Sequence, residues 1–194
     1  MAEFSSAAAL AQLSKLHTHK SRGYGDAWRK RGELLAIFTN LARKYDRLVV
    51  ALDEGTDSTD ERLLDTAGDL CVYAAKYLTW LAEQAPGAFD SVSSVDSAKC
   101  ADNGGSEVVD RVLGAVPAIH GDVNQCWATL KAAFAPLDMG LTAQIGVLDP
   151  PLSWERKVEL AWAVAGASAG LVVALANERP DELDAWRNEI EAME

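Results

Sequence analysis

Apolar residues in this chain recur almost everywhere at steps of three and four, and almost nowhere at steps of two. Leu34, Phe38, Leu41, Tyr45, Leu48 and Leu52 make one such stripe. Leu63, Ala67, Leu70, Ala74, Tyr77 and Leu81 make another, widened by Leu64, Cys71 and Leu78. A helix presents residues three and four apart on one side, whereas a strand alternates its faces, so the period itself calls for helices. No hairpin dipeptide stands between alternating runs. The expectation is an all-α bundle of about six helices.

Capping residues place the boundaries. Ser5 or Ser6 caps a first helix that runs to about His17, and the loop KSRGYG follows. Asp26 caps a second helix lasting to about Leu52. Ser58 and Glu61 have the spacing of a capping box that opens a third, reaching Gln84. Residues 86–105 are rich in Gly, Ser and Asp, show no period and read as a loop. Helical spacing resumes at Ser106, breaks at Pro117 and continues to about Phe134, after which PLDMGLTAQIGVLDPP reads as another connection. Ser153 caps an Ala-rich helix to about Glu178, and Pro180 suits the first turn of a last one. The organisation expected is a helical region over 1–85, the loop 86–105, and a C-terminal helical region over 106–194 that packs on the first as one domain.

A chain of 194 residues can bury a sufficient core without disulfides. Cys71, Cys100 and Cys126 are widely spaced, with no CxxC pair, which fits reduced thiols and a cytoplasmic setting. The N-terminus has no basic region ahead of its apolar residues and carries Glu3, unlike a secretory signal. The run Leu160 to Ala176 is shorter than the roughly 20 residues a bilayer needs and is built of Ala and Gly, so a core helix is expected and no membrane contact. Within it, Gly166 and Gly170 have the small-xxx-small spacing that lets another helix approach closely.

The net charge is −11, a poor start for binding duplex nucleic acid. Between Lys15 and Arg47, however, nine basic side chains stand against three acids. A basic stretch inside an acidic protein reads as a site for a small anion, or else as a solvated helix face. On helical wheels, Glu33, Ile37, Asn40, Lys44 and Arg47 share one face of the second helix, and Asp65, Asp69, Tyr73 and Lys76 line up on the third. Carboxylates four apart repel and call for positive charge between them. The candidates are Lys44 and Arg47, or a hard cation such as Mg2+. The alternative is an interhelical ion-pair network with Lys44, Arg47, Arg62 and Lys76. His17 and His19 are only two apart and His120 is remote, so histidine ligation of a metal is not expected. No Ser-His-Asp or Cys-His arrangement is legible.

The segments YGDAW (Tyr24 to Trp28), RKYDRL (Arg43 to Leu48) and LDTAGDL (Leu64 to Leu70) with Tyr73 resemble, in order and spacing, the nucleotide-modification-associated domain of phage and bacterial proteins. That domain is similar to the MazG-like all-α nucleoside triphosphate pyrophosphohydrolases, in which acids on two antiparallel helices hold Mg2+ against a triphosphate. The resemblance covers about residues 20–84. It implies a MazG-like helical hairpin as the core, a homo-oligomer, and a nucleotide ligand in a phage or bacterial nucleotide pathway. It also implies site roles: Glu33, Asp65 and Asp69 as catalytic and Mg2+-holding acids; Arg29, Lys44 and Arg47 on the phosphates; and Asp26 and Tyr73 as further nucleotide contacts. Tyr24 and Trp28 are placed either to stack on the base or, for Trp28, to cover the core. The pyrophosphohydrolases carry an EExxE pattern on their second helix, whereas here Glu33 stands alone, with Ala36 and Ile37 where further acids would fall. The departure favours binding over hydrolysis. A nucleotide sponge or immune-evasion protein without turnover is therefore one alternative, and an acidic helical protein-interaction module is another.

Overall fold

The computed structural model describes residues 3–55, 62–100, 106–146 and 151–192; the side chains of residues 23, 24, 26, 106 and 144–146 also lie outside the description. Among the described residues there are eight α-helices and no strand, as the helical period demands. They are α1 (Ser6–Tyr24), α2 (Thr39–Leu52), α3 (Leu63–Gln84), α4 (Pro86–Val92), α5 (Ser106–Gly114), α6 (Val123–Gly146), α7 (Trp154–Glu178) and α8 (Pro180–Ala192). α3 and α7 form the central pair, each buried along most of its length. α6 and α4 pack on α7, α2 and α5 pack on α3, and α1 lies over α5 and α7.

Several boundaries follow the caps. The Ser5 hydroxyl accepts from the Ala8 N–H, Ser153 accepts from the Arg156 N–H, and Pro180 opens α8. The proposed Ser58/Glu61 box lies outside the described residues. Four other boundaries move. α1 continues through the expected KSRGYG loop and stops only at Gly25, whose φ of 48° is left-handed. The second helix does not begin at Asp26: a 3₁₀ turn (Gly25–Trp28) and Gly32 at φ 76° intervene, and the chain re-enters as a π-helical turn, Glu33–Phe38, before α2. Side chains hold this junction, with the Asn40 amide donating to Ala36 O at 2.8 Å and the Thr39 hydroxyl to Leu34 O at 2.8 Å. The supposed loop 86–105 contains α4 and a 3₁₀ turn (Ser97–Lys99), because Phe89 and Cys100 are completely buried and anchor it. α6 runs through Pro136 to Gly146 because Leu137 and Leu141 carry its buried stripe onward, outweighing the hydrogen bond a proline forfeits.

Two contacts set how the layers meet. α2 and α6 join through rings: Tyr45 stacks on Phe134 with centroids 4.0 Å apart, and Phe38 flanks the same ring at 6.1 Å. On α7, the small residues Gly166 and Gly170 receive an irregular segment and not a helix. A Cβ on Gly166 would stand 2.7 Å from Pro117 O, one on Gly170 would collide with Ile119 O, and the Ile119 N–H donates to Gly166 O at 3.1 Å. Among the described helices α7 alone is long and apolar enough to cross a membrane, and 78% of its most apolar window is buried inside the protein, as befits a core helix.

Gly170→Ala is expected to destabilise the protein by about 2 kcal/mol or more in urea denaturation, since a backbone carbonyl must move. Gly114→Ala, at the end of α5 with open space around it, should be neutral or add up to about 1 kcal/mol.

Candidate anion-binding site

The C-terminal half of α1, the 3₁₀ turn, α2 and the middle of α3 enclose a cavity of about 400 Å³. Lys20 comes from α1, Trp28 from the turn, Asn40, Arg43 and Lys44 from α2, and Asp69, Tyr73 and Lys76 from α3. Four cationic side chains thus face one carboxylate. That carboxylate is shared: Lys20 Nζ lies 2.7 Å from Asp69 Oδ1, and Lys44 Nζ 2.7 Å from Oδ2. Burial alone would raise the Asp69 pKa, but the two ammonium groups together outweigh it and hold the carboxyl below its ordinary value.

Lys76 is only 8% exposed, and among the described residues no carboxylate lies within salt-bridge distance of its ammonium. It rests instead between two rings, 5.2 Å from the Tyr73 centroid and 5.8 Å from that of Trp28. Burial drives its pKa down to about 8, with Asp69 opposing the shift and Lys20 assisting it. Tyr73 is pushed up by burial and by Asp69.

Of the residues singled out from sequence, Trp28, Lys44, Asp69 and Tyr73 converge here. The others do not, or are not described. Glu33 is drawn to the far side of the hairpin, where Tyr77 Oη donates to it at 2.6 Å and Lys157 Nζ reaches both its oxygens at 2.8 and 2.9 Å. The wider π-turn rotates Glu33 off the face it would share with Lys44 in a regular helix. Asp65 lies in a neighbouring cavity, 2.8 Å from Arg62, which also pairs with Glu189. Burial raises the Asp65 pKa against the pull of Arg62. Arg29 grips both oxygens of Glu83 at 2.7 and 2.8 Å, and Arg47 is exposed outside the cavity lining. The side chains of Tyr24 and Asp26 lie outside the described residues.

The three acids expected to hold Mg2+ are therefore separated, each engaged by a protein cation. Among the described residues no group of three His, Cys, Asp or Glu side chains is placed to bind a metal ion. As a donor set, Glu33, Asp65 and Asp69 do not fit a shared Mg2+.

Lys20, Arg43 and Lys76 also line the cavity. Sequence spacing does not single out Lys20 or Arg43 as ligand contacts, and the ion-pairing alternative for Lys76 is not what the fold builds at its ammonium. The fold also assembles a hydrogen-bonded chain that spacing alone hid. His17 Nδ1 is 3.0 Å from Asp110 Oδ1, Ser21 Oγ is 2.9 Å from His17 Nε2, and Thr18 donates to Asp110 Oδ2 at 3.1 Å. One carboxylate of α5 thus holds two adjacent residues of α1, His17 and Thr18, at the rim of the cavity. Comparison with protein-family models, curated proteins and solved structures found no match.

Asp69→Asn is expected to cost about 3–5 kcal/mol, because it removes the buried carboxylate charge that the Lys20 and Lys44 ammonium groups face. Asp65→Asn should cost less than about 1, since its carboxylate gains little from being charged. Asp69 has a depressed folded pKa, so its contribution is present above the ordinary carboxylate pKa and fades as pH falls through the folded value. The acid limb of the stability profile should accordingly flatten in Asp69→Asn. Lys76 works in the opposite sense. Below pH 8 it is charged in both states and burial penalises the folded one, a penalty that disappears as pH rises from about 8 to the ordinary lysine value. Lys76→Met should therefore stabilise the free protein near pH 7 by roughly 1–3 kcal/mol, the desolvation cost less the lost cation–π attraction, and the gain should vanish above about pH 10.5.

Proposed function

We propose that this protein binds a nucleoside phosphate in the cavity between α1, α2 and α3, with the phosphate held by Lys20, Arg43 and Lys44 and the base set against Trp28 and Tyr73. The observation that carries the reading is the meeting of four cations with two ring faces in one cavity. A volume of about 400 Å³ suits a small organic ligand. Independent support comes from the motifs: Trp28, Lys44, Asp69 and Tyr73, on which the resemblance to the nucleotide-modification-associated domain rests, all line this cavity.

Binding without turnover is the form the geometry favours. Asp69, the cavity's carboxylate, is already held by two lysines, and charge on the phosphate is met by protein cations instead of a metal. The role is that of a carrier or sponge in a bacterial or phage-infected cell. Three free, buried thiols support a reducing cytoplasmic setting. Leu35 at 76% and Met139 at 69% exposure support self-association, which light scattering tests.

A thermal-shift panel of nucleoside mono-, di- and triphosphates, each in EDTA and in Mg2+, tests the function. At one hundred times its dissociation constant a ligand adds about 2.7 kcal/mol to stability. The expected result is a shift that persists in EDTA, shrinks as salt rises, and weakens about tenfold in apparent affinity in Arg43→Ala. Intact nucleotide recovered from the complex supports binding alone. Pyrophosphate release would replace that reading with hydrolysis, and a panel without any shift would overturn the nucleotide site.

A further inference from the structure

We infer that Lys76 is a nucleophilic amine, placed to form an imine with a carbonyl carbon on a phosphorylated ligand in the α1–α2–α3 cavity. The inference rests on the phosphate-binding reading for the anionic half of the ligand, and on Lys76 itself for the reactive half.

The protein treats its buried lysines in two ways. Lys44 and Lys157 are each paired with a carboxylate at 2.7–2.8 Å, Asp69 and Glu33 respectively. Lys76 is equally buried and lines the cavity, yet among the described residues it meets the faces of Trp28 and Tyr73 and pairs with no carboxylate. The charged groups around it are mostly of its own sign: Lys20 on α1 and Arg43 and Lys44 on α2, with Asp69 on its own helix already committed to Lys20 and Lys44. Desolvation beside other cations is the arrangement that frees a lysine's lone pair for covalent chemistry. With a pKa near 8, roughly one amine in ten is neutral at pH 7, some two-hundredfold more than for an ordinary lysine.

The step balances without an oxidant or reductant. The Nζ lone pair attacks the carbonyl carbon, and the carbonyl oxygen takes up a proton to give a carbinolamine. That oxygen then leaves as water, the nitrogen gives up its remaining proton, and a C=N bond to Lys76 results. Lys20, Lys44 and Arg43 hold the phosphate, and the two rings hold a planar group beside the amine. The ligand class is thus a phosphate ester bearing an aldehyde or ketone.

The test uses the full chain and two probes, pyridoxal 5′-phosphate as a phosphorylated aromatic aldehyde and pyridoxal as its counterpart without phosphate. Each is reduced onto the protein with borohydride, and the modified lysine is located by peptide mass spectrometry. The expected result is modification at Lys76 at least tenfold faster than at the exposed Lys30, rising with pH around a midpoint near 8. The phosphorylated probe should lead pyridoxal by about tenfold, and AMP should protect. Lys76→Arg, which keeps the charge and so preserves the fold by circular dichroism, should lose that modification alone. Labelling confined to Lys20 or surface lysines while nucleotides still stabilise the protein would overturn the amine and leave the phosphate site standing. Equal rates for both probes, without protection by AMP, would overturn the phosphorylated ligand together with the phosphate site.

Discussion

One carboxylate holds three helices to one another. Asp69 on α3 receives Lys20 from α1 and Lys44 from α2, and the residue before it is Gly68, where a Cβ would stand 3.0 Å from Leu13 of α1. The missing side chain lets α1 come close enough for Lys20 to reach across. A buried ion pair is weak evidence for net stability, because both charges have left water, but it is strong at excluding alternatives. A rotation of α1 or α2 about α3 that broke these pairings would strip the buried Asp69 carboxylate of a cation. The cavity is the space this arrangement leaves beside it, and its surplus of positive charge follows from seating four cations near a carboxylate that pairs with two of them.

The helices were legible because burial imposes a period. The stripe from Leu34 to Leu52 and the broad face of α3 are both seen as read, and Ser5, Ser153 and Pro180 mark real ends. What spacing could not show was any departure from 3.6 residues per turn. The π-helical turn at Glu33–Phe38 leaves the apolar stripe nearly intact while turning Glu33 away from Lys44, so a wheel that was right for the core was wrong for the site. Pro136 and the Gly-rich stretch around Phe89 misled for the converse reason. Local propensity spoke for loops, and burial of Leu137, Leu141 and Phe89 overrode it. The clasp of His17 and Thr18 on Asp110 joins positions more than ninety apart, and no local pattern announces such a meeting.

The protein as a whole is acidic, yet its cavity gathers positive charge. A net charge of −11 is spread over the surface, while Lys44 and Lys76 sit where water is excluded. Within such a low-dielectric pocket a few fixed charges outweigh many screened ones. On the proposed function, the acidic exterior would discourage long polyanions, which must lie along the surface, and spare a small anion able to enter. Discrimination of this kind depends on size before it depends on any specific contact.

Trp28 owes its place to the strap between α1 and α2. The strap begins at Gly25 and is pinned twice, where Arg29 grips both oxygens of Glu83 and where Glu33 is held by Lys157 and Tyr77. Neither pin touches the cavity. Its wall is nonetheless formed before a ligand arrives, so the conformational entropy of ordering that segment is lost during folding and not during association. Occupancy should then leave little calorimetric trace of coupled folding: the heat-capacity change should reflect only the ligand's own apolar surface and the cavity it covers.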